Sequence, residues 1–361
     1  MKIGIITHHY VKNYGAFLQA KGLIEILSRI YPAAQIEIID YVYFSHWGKN
    51  ILHVLHFRKG IDTLQSYAMK IKQLAMFSKY EHTLPRSKKV RSADDIKKLN
   101  YDLIVFGSDE IWDRKGRGFR KLKYGVGMND FVGNMIAYAP SVGKVDGDEP
   151  LPQELAEGMK NFSRISARDT ETQKMVRNIG INAPIVLDPT LLYSFEKDLQ
   201  EEKVVARDYR YILIYDCKLT EQQVEIIRVY SKEHNLEIVG GGDSKAYYTK
   251  NNLCMTPYEW VSLFKNADFV ITGTFHGTIF SVKYRKDFIA FPTEKNRVRK
   301  ISSLLNNLCL TERLAQTDDV DVMQKLLHQK TDYQKCDEII CHMEKESLNF
   351  LSLKESASDV R

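Results

Sequence analysis

His276 stands in Thr272-Gly273-Thr274-Phe275-His276-Gly277-Thr278, directly after the apolar run Phe269–Ile271. A buried strand that feeds a glycine-bounded turn and then a helix leaves unpaired N–H groups and a positive dipole end at the turn. That setting suits a phosphate or a carboxylate. An imidazole placed there changes charge near neutral pH and can give or take a proton. A histidine merely packed at a helix start is the structural alternative. Arg168 closes a second strand, Ser163–Ala167, and a planar guanidinium at a strand end can grip a carboxylate or phosphate with two prongs. An ion pair with Asp169 or Asp188 would use the same group structurally. Asp109 leaves the strand Asp102–Phe106 through Gly107-Ser108. Its carboxylate can orient a sugar or accept a hydroxyl proton, or it can cap a helix that follows. Trp112 can stack on a sugar face, although core packing is the simpler reading.

Three further segments bear on an anion site. Asn13-Tyr14-Gly15 forms the first turn after a strand, and Gly15 permits close approach to a helix start. The cationic stretch Glu294-Lys295-Asn296-Arg297-Val298-Arg299-Lys300 follows another strand and opens a helix, so Lys295 or Arg297 can reach an anion near His276; a solvated helix face explains the same charges. The loop Arg114–Lys123 is strongly basic and reads either as a contact for an acidic polymer or bilayer or as a surface loop. Gly240-Gly241-Gly242-Asp243 reads more simply as a turn than as a phosphate loop. No GxGxxG, Walker A, HExxH or GxSxG pattern is present.

The elements that must carry these residues alternate. Strand Lys2–Thr7, helix Ala16–Ile30 and strand Gln35–Asp40 open an α/β domain. Residues 43–90 read as mostly helical. Strands follow at Asp102–Phe106, Asn134–Ala139 and Ser163–Ala167, with a proline-stopped strand at Pro184–Pro189. The charged stretch Glu196–Arg207 reads as a linker. A second alternating set runs through strands Tyr211–Tyr215, Leu236–Gly240, Phe269–Thr272 and Phe288–Phe291, with helices at 220–234, 257–266 and 298–307 and one long helix over 319–353. The pattern predicts an α/β protein of two Rossmann-like domains facing a cleft. Residues 1–190 form the acceptor side with Arg168, 208–335 the donor side with His276, and 336–361 a terminal helix and tail. Ligands of such sheets sit beyond the carboxyl ends of the strands, where every residue above falls.

The chain has 361 residues, 44% hydrophobic and 27% charged, with a formal net charge of +6. That is the composition of a globular protein with a core of normal size. Its five cysteines are scattered without a CxxC pair, and Cys336, Cys341 and His342 have neither zinc nor haem spacing. A reducing, cytoplasmic location is expected. The first residues do not read as a signal peptide, and no run approaches the ~18 apolar residues of a membrane span. Aromatic and basic residues in Tyr41–Lys59 suit a peripheral contact with the inner face of a membrane, and a buried helix pair suits them equally. Dispersed basic residues and the lack of a recognised motif speak against nucleic acid.

The ordered set of blocks resembles the polysaccharide pyruvyl transferases. Ile3–His9 through Asn13-Tyr14-Gly15-Ala16-Phe17-Leu18-Gln19-Ala20 is similar to the family's opening, and Gly107-Ser108-Asp109-Glu110-Ile111-Trp112 to its GSDQ-x-W block. Tyr138–Gly143, Ser166–Asp169, Asp188–Leu192 and Thr272–Thr278 match later blocks. Two positions depart: Gly273-Thr274 stands where the family usually has Asp-Ser, and Glu110 replaces Gln. The resemblance implies a GT-B-like fold and transfer of a pyruvyl group from phosphoenolpyruvate to a sugar of a cell-surface polysaccharide or its lipid-linked precursor, giving a ketal without metal or cofactor. It implies donor contacts by Arg168, by His276 with Gly277, and by a basic residue some twenty positions on, Lys295 or its rival Arg297. His276 is then the proton donor, Asp109 the group that activates the acceptor, and Asn13 and Gly15 further substrate contacts. A GT-B glycosyltransferase using a nucleotide sugar is the alternative.

Overall fold

The computed structural model describes residues 1–42, 64–315 and 320–353, together with positions 48, 51, 52 and 56. Most of Tyr41–Lys59 therefore lies outside the described residues. The chain divides into two compact units. The first comprises Met1–His53, Lys79–Tyr193 and Ile340–Arg361; the second comprises Val54–Ser78 and Ser194–Ile339.

The first unit is built on near-continuous apolar runs, the signature of parallel strands covered on both faces. Strands β1 (Lys2–Ile6), β2 (Gln35–Ile38), β3 (Leu103–Phe106), β4 (Asn134–Ala137) and β5 (Arg164–Ile165) form a parallel sheet in the order β2-β1-β3-β4-β5. The register pairs Ile3 with both Ile36 and Leu103. Helix α1 (Tyr14–Ile30) buries Leu18, Leu23, Ile26 and Leu27, and Asn13 caps its start by accepting from the Ala16 N–H. Helix α2 (Leu64–Glu81), most of which belongs to the second unit, comes next in the chain, and α3 (Ala93–Lys97), α4 (Gln153–Met159), α5 (Thr170–Arg177) and α6 (Pro189–Leu192) follow in the first. The core beneath the strand ends includes Ile104, Phe106, Trp112, Tyr124 and Phe162.

The second unit opens with α7 (Glu196–Glu201) and β6 (Tyr211–Tyr215). It continues through α8 (Glu221–Glu233), β7 (Glu237–Gly241), β8 (Lys250–Asn252), α9 (Pro257–Asn266), β9 (Phe269–Thr272), α10 (Phe275–Lys283), β10 (Asp287–Ala290) and α11 (Lys295–Asn307). Its sheet is also parallel, ordered β10-β9-β6-β7-β8. Helices α12 (Val320–His328) and α13 (Gln334–Leu351) end the chain. In both sheets the connections leave the first strand in one direction and later return on its other side. The switch falls between β1 and β3 in the first unit and between β6 and β9 in the second. Crevices at such points are where open α/β sheets bind ligands.

Several expectations are corrected. Residues 184–189 are no strand: they make a single bridge, Ala167 to Ile185, and then enter α6 under an Asp188 cap. Part of the expected linker is α7. The polar edge strand β8 carries no apolar pattern that a sequence could show. The long terminal helix is two helices. Arg313, fully buried, donates to the carbonyls of Leu326 and Gln329 at the end of α12 and to Phe288 in β10, which stops α12 there. The residue that restarts the chain is Asp332, whose side chain accepts from Gln334 N at 2.9 Å. No helix follows Asp109 directly, so it is not a helix cap: the chain turns, and its Cα partner is Pro140.

Candidate functional site

In the first unit, His8 lies just past β1 and Asp109 just past β3, on the two sides of the switch. His8 Nδ1 is 3.8 Å from Asp109 Oδ2, and Asp109 Oδ1 is 3.5 Å from Arg168 Nη1. The same Arg168 nitrogen donates to Asp188 Oδ2 at 3.1 Å. The other Asp188 oxygen accepts from the Thr190 N–H and hydroxyl, which fixes the carboxylate. Arg168 therefore sits among carboxylates with a side chain only 2% exposed. Burial works against its charge, but Asp188, Asp109, Glu110 and Asp169 outweigh burial and raise its pKa above the ordinary value. Asp169 caps α5 through Thr172.

Main-chain bonds lock these groups together. Ser141 N donates to Asp109 O at 2.8 Å, and Arg168 N donates to Pro140 O at 3.1 Å, so the loops after β3, β4 and β5 lie side by side. Gly107 makes the first loop possible. Its φ is +128°, and a Cβ there would fall 1.9 Å from the Tyr138 carbonyl oxygen. A buried ladder joins the ends of β1, β3 and α1: Gln19 Nε2 donates to Thr7 Oγ1, Ser108 Oγ donates to Gln19 Oε1, and Thr7 Oγ1 donates to the Ser108 carbonyl.

His9 adds a second imidazole–carboxylate pair. Its Nδ1 is 3.3 Å from the Thr7 carbonyl and its Nε2 is 3.3 Å from Asp40 Oδ1. Both neighbours, the Thr7 carbonyl and the Asp40 carboxylate, are acceptors. The hydrogen bond from His9 outweighs burial and lowers the Asp40 pKa below the usual carboxylate value.

The basic loop after Asp109 is neither free nor uniform. Arg114 and Lys115 pair with Glu149, and Lys121 pairs with Glu154. Lys123 is buried, 1% exposed, and burial pulls its pKa down to about 7. Trp112 is core: it stacks on Tyr124 at 5.6 Å and donates to the Lys123 carbonyl.

In the second unit, β9 runs through Gly273 into Thr274, which caps α10 by accepting from the Gly277 N–H at 3.0 Å. His276 is the second residue of the helix, partly exposed, its ring edge-on to Phe275. A Cβ on Gly277 would come 2.1 Å from Thr272 Oγ1, so the tight turn requires glycine. Arg297, on the first turn of α11, donates from Nη1 to Asp216 Oδ2 at 2.7 Å and, at 3.4 Å, to the Gly273 carbonyl. Burial opposes the Arg297 charge; Asp216 more than restores it, and the pKa is raised. Asp216 directly follows β6, so this group spans the second switch. Lys295 is exposed at the first position of α11. Of the two cations, Arg297 is the one tied to the His276 turn. The triple glycine ends β7, with the Tyr248 ring packed against Gly240 and its hydroxyl on Asp243.

The structure thus gathers Asp109 and Arg168 in one unit, and His276, Gly277 and Arg297 in the other. Asn13 and Gly15 lie at the start of α1, Asn13 as its cap and Gly15 buried. His8, Asp40, Lys123 and Asp216 join these groups without having been singled out as site residues. His8 and Asp216 share one signal that was available, a polar residue at the end of an apolar strand. Among the described residues, no group of three or more His, Cys, Asp or Glu is placed to hold a metal ion, and no helix is long and apolar enough to cross a membrane.

The family model for polysaccharide pyruvyl transferase matches residues 13–295, most of the chain. The chain belongs to that family. As a polysaccharide pyruvyl transferase family member it carries the expected fold. It is similar to the solved UDP-GlcNAc 2-epimerase from Methanocaldococcus jannaschii, at 12% identity over 96% of this chain and 100% of that one, with a TM-score of 0.54. It is also similar to the UDP-GlcNAc 2-epimerase from Neisseria meningitidis bound to UDP-GlcNAc, at 9% identity over 98% and 100% of the two chains, TM-score 0.54. At these identities the likeness speaks for the fold alone: two five-stranded parallel α/β domains of the GT-B type. No curated protein matches the sequence.

Proposed function

We propose that the protein transfers a pyruvyl group from phosphoenolpyruvate to a sugar of a cell-surface polysaccharide or its lipid-linked precursor, forming a pyruvate ketal. The observation that carries this reading, given the family, is the Arg297 guanidinium on the Gly273 carbonyl. It puts a cation, a helix N-terminus and the imidazole of His276 on one turn. Phosphoenolpyruvate bears a phosphate and a carboxylate, which need a cation and helix N–H groups.

His276 gives its proton to the methylene carbon, and the enol carbon becomes cationic. A sugar hydroxyl attacks that carbon, and Asp109 takes the hydroxyl proton. Asp109 is held for this by Arg168, which acts through it. A second hydroxyl of the sugar then attacks the same carbon, the phosphate leaves with that hydroxyl's proton, and the ketal closes. One phosphate is released per ketal. The reaction draws on no metal or cofactor. It fits a protein working on the cytoplasmic side of a membrane, in contact with a lipid-linked acceptor.

Calorimetric titration tests the donor. Phosphoenolpyruvate is expected to bind the wild type, and Arg297→Ala to weaken it about tenfold or more, the scale of a lost charge-assisted bond. Binding of a nucleoside diphosphate with no binding of phosphoenolpyruvate would instead favour a nucleotide-sugar glycosyltransferase.

A further inference from the structure

Asp109, as the base of the proposed transfer, takes the proton of the attacking hydroxyl and must shed it before the next turnover. His8, just past β1, has its Nδ1 3.8 Å from Asp109 Oδ2, while Arg168 Nη1 is 3.5 Å from Oδ1, so the two carboxylate oxygens face different partners. His8 and Asp109 are both largely shut from solvent, with side chains 11% and 15% exposed. Their spacing is set by the residues just before them. Thr7 Oγ1 donates to the Ser108 carbonyl at 3.0 Å, and the Gln19 amide bridges Thr7 Oγ1 and Ser108 Oγ. Asp109 itself holds a φ of +80°, a left-handed conformation that costs a residue with a side chain. The N–H groups of Ile111 and Ser141 keep it there by donating to its carbonyl, each at 2.8 Å.

We propose that His8 is a proton-relay residue: its Nδ1 takes from Asp109 Oδ2 the proton that Asp109 takes from the sugar. The inference rests on Asp109 being the acceptor-side base. An imidazole is a stronger base than a carboxylate by about two and a half pKa units, so a proton given to such a pair settles on the ring. Imidazolium and carboxylate then stand as an ion pair. The 3.8 Å separation is longer than a hydrogen bond, and catalytic contacts are often this loose before substrate binds. Once the ketal has left, the imidazolium N–H bond breaks and water takes the proton, while solvent returns a proton to His276. Each ketal thus draws one proton from solvent and gives one back.

The pairing is read without turnover from the ¹³Cε1 resonance of His8 in protein carrying ε1-¹³C-labelled histidine, assigned by its disappearance in His8→Gln. Asp109, on the loop after β3, is the opposite charge beside the ring. Arg168, after β5, faces the far oxygen of Asp109, and Tyr10, on the loop of His8 itself, lies 6.3 Å away ring to ring. Asp109→Asn is expected to lower the His8 titration midpoint by about one unit or more, the scale of losing an opposite charge at this range. A midpoint unmoved by Asp109→Asn overturns the proposal.

The functional arm is kcat with phosphoenolpyruvate and a sugar acceptor. His8→Ala is expected to lose about hundredfold in kcat, while its affinity for phosphoenolpyruvate in calorimetry stays at the wild-type value and so reports a folded protein. Added imidazole is expected to restore about tenfold, because a free base can take the proton from Asp109; a packing role gives no such rescue. A wild-type kcat in His8→Ala, or a loss that imidazole leaves unchanged, overturns the proposal. Asp109→Asn left active would defeat the reading of Asp109 itself. An inactive Asp109→Asn beside a His8→Ala enzyme of unchanged kcat would defeat the His8 proposal alone.

Discussion

At the scale of single residues, charges are desolvated and then paired: Arg168 with Asp109 and Asp188, Arg297 with Asp216. His276→Ala is expected to abolish turnover while circular dichroism and the melting temperature stay near wild type, because the residue is partly exposed at the start of α10. Near-normal activity would remove His276 from the mechanism. Lys123 makes a separate statement about stability. Its folded pKa, about 7, lies below the ordinary lysine value, so the unfolded chain binds the proton more tightly. The resulting destabilisation is absent above about pH 10.4, grows as the pH falls and is complete below about 7. Lys123→Met is therefore expected to gain stability relative to wild type between pH 10 and pH 7, read from urea midpoints at each pH. Equal shifts at both would contradict the burial. Asp40 runs the other way: its lowered pKa contributes stability above the ordinary carboxylate value and loses it in acid. Asp40→Asn should flatten the acid limb of the stability curve.

At the scale of elements, what was legible was what a strand end announces. An apolar run, a glycine and then a residue able to do chemistry pointed to Asp109 and His276, and a cation just past a short strand pointed to Arg168. The partners were not legible, because they meet across the sheet from distant parts of the chain. His8 reaches Asp109 only because β1 pairs with β3, and Arg297 reaches Gly273 only because α11 returns beside β9. Lys123 was hidden among neighbouring cations, since local composition cannot distinguish a buried lysine from solvated ones. The false strand at 184–189 and the over-long last helix failed for related reasons. One was an apolar run with a single bridge to pair with, and the other was a helix stopped by Arg313 from another element. Two substitutions test these elements. Gly107→Ala must fit a Cβ into a 1.9 Å gap at positive φ and is expected to cost several kcal/mol in urea unfolding. Arg313→Ala strands the carbonyls of Phe288, Leu326 and Gln329 and is expected to cost about 3 kcal/mol or more.

At the scale of the whole molecule, two parallel sheets each place a reactive cluster at the point where their connections reverse. The first unit offers two carboxylates held by a buried arginine, with the imidazole of His8 facing one of them; the second offers a helix start, a guanidinium and an imidazole. The division matches a reaction with an anionic donor and a neutral polyol acceptor, one needing cations and a proton source, the other a base. Membership of the polysaccharide pyruvyl transferase family supports a transferase. The most direct measurement is incubation with isotope-labelled phosphoenolpyruvate and a panel of free and lipid-linked sugars, read by mass spectrometry and phosphate release. The expected result is an acceptor heavier by one pyruvic acid less one water, carrying the label, with one phosphate freed per ketal. If no acceptor gains the label while a nucleotide sugar donates its glycosyl group instead, the central claim is wrong.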